Sequence, residues 1–136
     1  MYSFNIESGN FTGAGHASSS VKKILKQLDV DNSIIKRIVV ALFEAEINVV
    51  AHADSGIINV ILDDSQIKMI VKDKGPGIPD IDMAMKEGFS TASQKVREMG
   101  FGAGMGLPNI KRNTDEFHIS SVVGEGTCLE MIVNLN

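Results

Sequence analysis

The sequence predicts an α/β (α+β) fold, a two-layer sandwich with a mixed, mostly antiparallel sheet and its helices on one face. Three observations lead there. Segments of alternating apolar residues come in pairs joined by short polar turns, which antiparallel hairpins need. A stretch from Ile34 to Ala53 has neither Gly nor Pro and suits one long helix. The 136 residues, 43% hydrophobic and 22% charged, fit a single domain, 1–136, with one core.

Each element follows in order. Residues 2–8 alternate, with Tyr2, Phe4 and Ile6 on one side, and read as a strand. Asn10 to Gly15 is a polar, glycine-containing loop. A helix capped by Ser18, Ser19 or Ser20 runs to about Leu28, placing Val21, Ile24, Leu25 and Leu28 on one face. Asp31-Asn32-Ser33 offers caps for the helix over Ile34–Ala53, which is apolar on most sides and therefore largely buried. Ser55-Gly56 ends it. Strands follow at about Ile57–Leu62 and Ile67–Lys72 around Asp63-Asp64-Ser65. Residues 80–87 read as a short helix after Pro79. Residues 88–103 lack periodicity and read as a loop. A helix over about Met105–Asn113 tolerates Pro108 in its first turn. Phe117–Val123 and Thr127–Leu135 form the last hairpin around Gly124-Glu125-Gly126.

Composition excludes several function classes. A net charge of -4 argues against nucleic-acid binding, which calls for a basic stripe. One cysteine, Cys128, cannot close an intrachain disulfide, so a reducing compartment is expected and Cys128 reads as a small core residue. The first residues lack the basic and apolar regions of a signal peptide. The longest apolar run, Ile38–Phe43, is far short of the ~20 residues that span a bilayer. A cytoplasmic protein without membrane contact is the expectation.

Four segments can carry chemistry. Glu44, Asn48 and His52, at i, i+4 and i+8, make a polar stripe on an apolar helix. A carboxylate and a carboxamide one turn apart suit a general base beside a Mg²⁺ ligand, and equally a solvated face or a hydrogen bond to a loop. Glu46 points the other way and reads as a surface charge. Asp73-Lys74-Gly75-Pro76-Gly77-Ile78 follows a strand and turns tightly, against a ligand or simply as a turn. Gly100-Phe101-Gly102-Ala103-Gly104-Met105-Gly106-Leu107 alternates glycine into a helix start, which aims N–H groups at an anion and reads as a phosphate cradle. Gly124-Glu125-Gly126-Thr127 is a hairpin whose Thr enters the last strand. Nine of the 13 glycines lie between Gly75 and Gly126. Neither a P-loop nor a dinucleotide fingerprint is present, and the H-R-D and D-F-G motifs of protein kinases are absent.

In order and separation, Glu44-x-x-x-Asn48, Asp73-x-Gly75-x-Gly77-Ile78, Gly102-x-Gly104-x-Gly106-Leu107 and Gly124-x-Gly126-Thr127 resemble the N, G1, G2 and G3 boxes of the GHKL ATPases, which include gyrase, sensor histidine kinases and MutL. The resemblance covers nearly the whole chain and implies their ATP-binding Bergerat sandwich. Within that superfamily, Glu44 to His52 is similar to the bacterial anti-sigma factors and switch protein-serine kinases. Gly106-Leu107-Pro108-Asn109-Ile110-Lys111-Arg112 followed by Asp115-Glu116-Phe117 is similar to the switch kinases. A sensor histidine kinase would need a helical hairpin carrying the accepting His, and gyrase- or MutL-like ATPases need transducer domains.

The resemblance implies roles. Asn48 would bind Mg²⁺, and Glu44 would be the base. Asp73 would accept from the adenine amino group with support from Thr127. Gly75, Gly77 and Ile78 would lie against the base. Gly102, Ala103, Gly104, Met105, Gly106 and Leu107 would wrap the phosphates. His52 would position Asn48 or be a buried, hydrogen-bonded histidine. Residues 88–103 would be the ATP lid, with Arg97 or Lys95 reaching the γ-phosphate, and with Ser90, Thr91 and Ser93 as plain loop residues, phosphate contacts or phosphorylation sites. The implied activity is ATP- and Mg²⁺-dependent phosphorylation of a Ser or Thr on a STAS-domain antagonist. The alternative is an ATP-dependent binding module for a sigma factor or signalling enzyme. A homodimer through the N-terminal strand is a further implication.

Overall fold

The computed structural model describes residues 2–7, 9, 14–78, 80–85 and 106–136. Five strands form one sheet: β1 (Tyr2–Glu7), β2 (Ser55–Leu62), β3 (Gln66–Lys74), β4 (Glu116–Val122) and β5 (Gly126–Asn134). Their spatial order is β1-β2-β3-β5-β4, and every neighbouring pair is antiparallel. The sheet is thus wholly antiparallel among the described residues, in line with the mostly antiparallel sheet expected.

The strand period of two decides which face is apolar. Register aligns Phe4, Ile58, Val71, Leu129 and Ile119 across all five strands. Val60, Met69, Met131 and Phe117 make the next row. These rows meet the helices α1 (His16–Gln27), α2 (Asn32–His52) and α4 (Gly106–Asn113), and with Val21, Leu25, Ile38, Leu42, Val49 and Ile110 they form the core. A short α3 (Ile81–Ala84) follows β3 and is capped by Asp80, whose Oδ1 accepts from Met83 N at 3.0 Å. Cys128 sits half-buried on the opposite face, level with Lys72 and Ser120, and so lies outside the core it was expected to join.

Local chemistry sets the boundaries. Asp31 caps α2 by accepting from Ser33 N at 2.8 Å. Asp63 turns the β2–β3 hairpin by accepting from Ser65 N at 2.8 Å and Gln66 N at 2.9 Å. α1 departs from expectation. It begins at His16, not at a capping serine, and Gly15, which has no side chain to cap with, precedes it in a left-handed conformation. Ser18 and Ser20 instead bond back to the carbonyls of Gly15 and His16.

The cap for α1 comes from α2. Glu46 is only 3% exposed, and its carboxylate accepts from Gly15 N at 3.0 Å, Ala17 N at 3.3 Å and Ser18 N at 2.8 Å. This corrects the surface-charge reading of Glu46. First-turn N–H groups have no partner in their own helix, and a carboxylate complements them and the helix dipole. Glu46 therefore pins α1 to α2.

Candidate nucleotide site

Two sets of the sequence-predicted residues come together, one at each end of the second half of α2. The first lies under the start of α4. Glu44 and Asn48 are half-buried one turn apart. A Cβ added to Gly106 would sit 3.3 Å from Asn48 Oδ1 and 3.4 Å from Glu44 Oε2. Glycine thus lets the α4 N-terminus, with its outward N–H groups, approach both side chains. Glu44 Oε1 also lies 3.5 Å from Asn109 Nδ2, while Asn109 Oδ1 accepts from Arg112 Nη2 at 2.6 Å.

The second set is built by the β3 end, the loop after it and the β4–β5 turn. Asp73 Oδ1 accepts from Thr127 N at 3.0 Å. Gly75 N donates to Glu125 O at 3.2 Å, and Gly124 N donates to Pro76 O at 2.9 Å. Ile78 N donates to Ser121 Oγ at 2.7 Å. Gly77 has φ +75°, and a Cβ there would lie 2.5 Å from Val122 O. At Gly126 an added Cβ would collide with the carbonyl oxygen of Asp73. Gly77 and Gly126 therefore serve the close approach of the two segments to each other, not slack.

Asp73 is half-buried, and burial pushes its carboxyl above the usual carboxylate range against the opposing pull of the Thr127 N–H. Its Oδ2 makes no hydrogen bond among the described residues, so one carboxylate oxygen is left to accept from something else.

The two sets share one ruler. Ala53, just after α2, lies against Gly75, whose added Cβ would be 3.0 Å from Ala53 Cα. At about 1.5 Å per residue, Asn48 is about 7 Å and Glu44 about 13 Å along the helix axis from that contact. An extended nucleoside triphosphate is long enough to span this separation.

His52 occupies the last position of α2, half-buried, and burial holds its imidazole below the usual value. Leu107 is packed, partly buried, against the core. Gly102, Ala103, Gly104 and Met105, and the loop 88–103 with Ser90, Thr91, Ser93, Lys95 and Arg97, lie outside the described residues. Among the described residues no three His, Cys, Asp or Glu side chains gather into a metal site. Asn48 thus offers one hard oxygen, which suits an ion that takes its other ligands from phosphate and water.

Sequence reasoning missed Ser121, Asn109 and the role of Glu46. Two of them carried a signal. Ser121 follows Phe117 and Ile119 at period two, so it is polar on the strand's inward face. Glu46 lies four residues from both Leu42 and Val50, on the buried stripe of its helix.

Residues 12–133 match the family model of the histidine kinase-like ATPase domain. The chain belongs to this family. It is 37% identical over 115 residues to the serine/threonine-protein kinase RsbT of Bacillus subtilis, covering 82% of this chain and 80% of that protein. It is 32% identical over 120 residues to an anti-sigma F factor of Caldanaerobacter subterraneus, covering 85% and 80%. Among solved structures, the RsbU and RsbW domains of a Mycobacterium tuberculosis protein share its fold, with a TM-score of 0.62 at 17% identity, covering 99% of this chain and 33% of that one. The mycobacterial sensor histidine kinase MprB aligns with a TM-score of 0.56 at 14% identity, covering 98% and 96%. Membership of the GHKL-like ATPases and the two-layer α+β architecture agree with the sequence reading. No helix among the described residues is long and apolar enough to cross a membrane.

Proposed function

We propose that this protein is an ATP-binding protein-serine/threonine kinase of the switch type, one nucleotide-binding domain over residues 1–136 with its lid at about 88–103. It transfers the γ-phosphate of ATP to a Ser or Thr of a STAS-domain partner in a cytoplasmic partner-switching pathway. The observation that carries this reading is the placement of a half-buried carboxylate, Asp73, and a carboxylate–carboxamide pair, Glu44 and Asn48, at two ends of one helical ruler. The name of the similar Bacillus subtilis kinase supports it.

In this reading Asp73 Oδ2 accepts from the adenine amino group and Thr127 flanks that contact. Gly75, Gly77 and Ile78 pass along the base. The α4 start at Gly106 and Leu107, continuing the chain from Gly102, Ala103, Gly104 and Met105, presents N–H groups to the phosphates. Asn48 supplies an oxygen to Mg²⁺, and His52 steadies the end of the helix that carries it. Mg²⁺, when bound, neutralises phosphate charge. Glu44, on a rigid helix and held from the side by Asn109, takes the proton of the attacking hydroxyl.

A second reading follows from the anti-sigma F factors among the relatives. Here the protein is an ATP-dependent binding module for a sigma factor or signalling enzyme, with little transfer. One experiment separates the two. With γ-labelled Mg-ATP and a STAS-domain protein of the same organism, the wild type should label that protein, and Glu44→Ala should abolish labelling while ADP still raises the melting temperature. Binding of the partner without labelling by the wild type would favour the second reading. Labelling by Glu44→Ala would remove Glu44 as the base.

A further inference from the structure

Ser121 is the hub of the base-binding end, and its contacts fix where two protons must lie. Its Oγ is 2.7 Å from Ile78 N, 3.1 Å from Gly126 O and 2.9 Å from Thr127 Oγ1. A backbone N–H only donates and a carbonyl only accepts. Ile78 therefore donates to Ser121, and the single Ser121 proton points to Gly126 O. For the third contact to be a hydrogen bond as well, Thr127 must donate to Ser121. One proton arrangement alone satisfies all three contacts. It uses up the Thr127 hydroxyl proton and leaves Thr127 Oγ1 with lone pairs only.

Thr127 and Asp73 are neighbours, joined by the bond from Thr127 N to Asp73 Oδ1. Asp73 Oδ2, in the ionised carboxylate, also has only lone pairs to offer. We propose that Ser121 is a positioning residue for base selection: by accepting the Thr127 proton and anchoring the Ile78 amide, it makes this end of the site acceptor-only, so that it takes a purine with an amino group at position 6 and rejects one with a carbonyl there. The proposal rests on the reading that Asp73 faces the base. It adds the residue that sets the polarity of the pair and holds the Gly75–Ile78 loop against the β4–β5 turn.

A carbonyl at position 6 sets lone pairs against lone pairs. With Ser121 replaced by alanine, the Thr127 proton is free to turn into the site and donate to such a carbonyl. The loop also loses its anchor at Ile78. A neutral hydrogen bond of this kind changes an affinity by about tenfold. The substitution should therefore weaken ADP and not weaken inosine 5′-diphosphate in step, lowering the ratio of the two affinities by about tenfold.

The test is calorimetric titration of the full chain with ADP and with inosine 5′-diphosphate, for wild type, Ser121→Ala, Ser121→Thr, Thr127→Val and the double variant. Amide hydrogen exchange at Ile78 is followed in the nucleotide-free proteins. Expected are a clear ADP preference in the wild type, a collapsed preference and faster Ile78 exchange in Ser121→Ala, and recovery in Ser121→Thr, which keeps the hydroxyl. In the Thr127→Val background, Ser121→Ala should change the ratio no further, because the proton it redirects is gone. A parallel loss of both affinities, or an unchanged ratio in Ser121→Ala beside a discriminating wild type, overturns the proposal alone. A wild type that binds both nucleotides equally, or neither, overturns the base-site reading beneath it. If Ser121→Ala does not fold, the Ser121→Thr and Thr127→Val ratios decide: Ser121→Thr must match the wild type and Thr127→Val must lose preference.

Discussion

Replacing Glu46 by alanine removes the acceptor of three backbone N–H groups at once, those of Gly15, Ala17 and Ser18. Two of the three residues, Ala17 and Ser18, are buried, as is Glu46 itself. An unsatisfied buried donor costs about 1–3 kcal/mol. Water entering the vacated carboxyl volume recovers part of the sum, so the net loss is about 3–5 kcal/mol, in the range for breaking a buried charge interaction. Against a total stability of about 5–15 kcal/mol this is large. For a chain of this length it corresponds to a melting temperature lower by about 10–15 °C. Glu46→Gln keeps one acceptor oxygen and should lose roughly half as much. Glu44→Ala is the control two positions away: it gives up one 3.5 Å contact and should cost under about 1 kcal/mol. Urea denaturation of the three variants measures the difference through the midpoint. A Glu46→Ala midpoint matching that of Glu44→Ala would refute the buried-cap reasoning.

Three further outcomes are expected. Gly77→Ala forces a left-handed residue and sets a Cβ against Val122 O, whereas Gly124→Ala, at φ +83° with open space around it, pays only for its backbone. The former should lose about 2–3 kcal/mol and the latter about 1, as read from urea midpoints. Stability should fall on acidification. Burial holds His52 below its usual 6.5, so its contribution is present above 6.5 and drains away as pH drops through its folded value. The Asn134 N–H, joined by Arg37, holds Asp115 below its usual 3.8 against the opposing push of burial, so its contribution disappears only under stronger acid. His52→Gln should flatten the pH 7 to 5 segment of a stability profile and leave the more acidic limb in place. Arg37→Met breaks an exposed 3.2 Å ion pair and should shift stability by no more than about 1 kcal/mol.

The sheet was legible because each strand alternates cleanly and each hairpin turn carries its own chemistry, as at Asp63. The spatial order of its strands was not, since the sequence holds nothing that sets β5 between β3 and β4; packing of Leu129, Met131 and Val133 beside Val71, Met69 and Ile67 does so. The α1 start was misplaced because local capping propensity competes with tertiary capping, and a carboxylate from another helix won. At the site, Glu44, Asn48, Asp73 and Thr127 were legible through spacing. Ser121 was hidden because its importance comes from bonds to residues 43 and 6 positions away, which period alone does not reveal. Asn109 was visible only as part of the Gly106–Arg112 segment, and its contact with Glu44, 65 positions away, was hidden for the same reason.

The central claim is that this fold closes on an adenine nucleotide through Asp73. The direct measurement is the melting temperature with saturating Mg-ADP and with Mg-GDP, for the wild type and for Asp73→Ala. A ligand at a hundred times its Kd adds about 2.7 kcal/mol, or several degrees for a chain of this size. Expected is a rise of about 8–10 °C with ADP, little with GDP, and loss of the ADP response in Asp73→Ala. Equal responses to both nucleotides, or an ADP response that survives in Asp73→Ala, would contradict it.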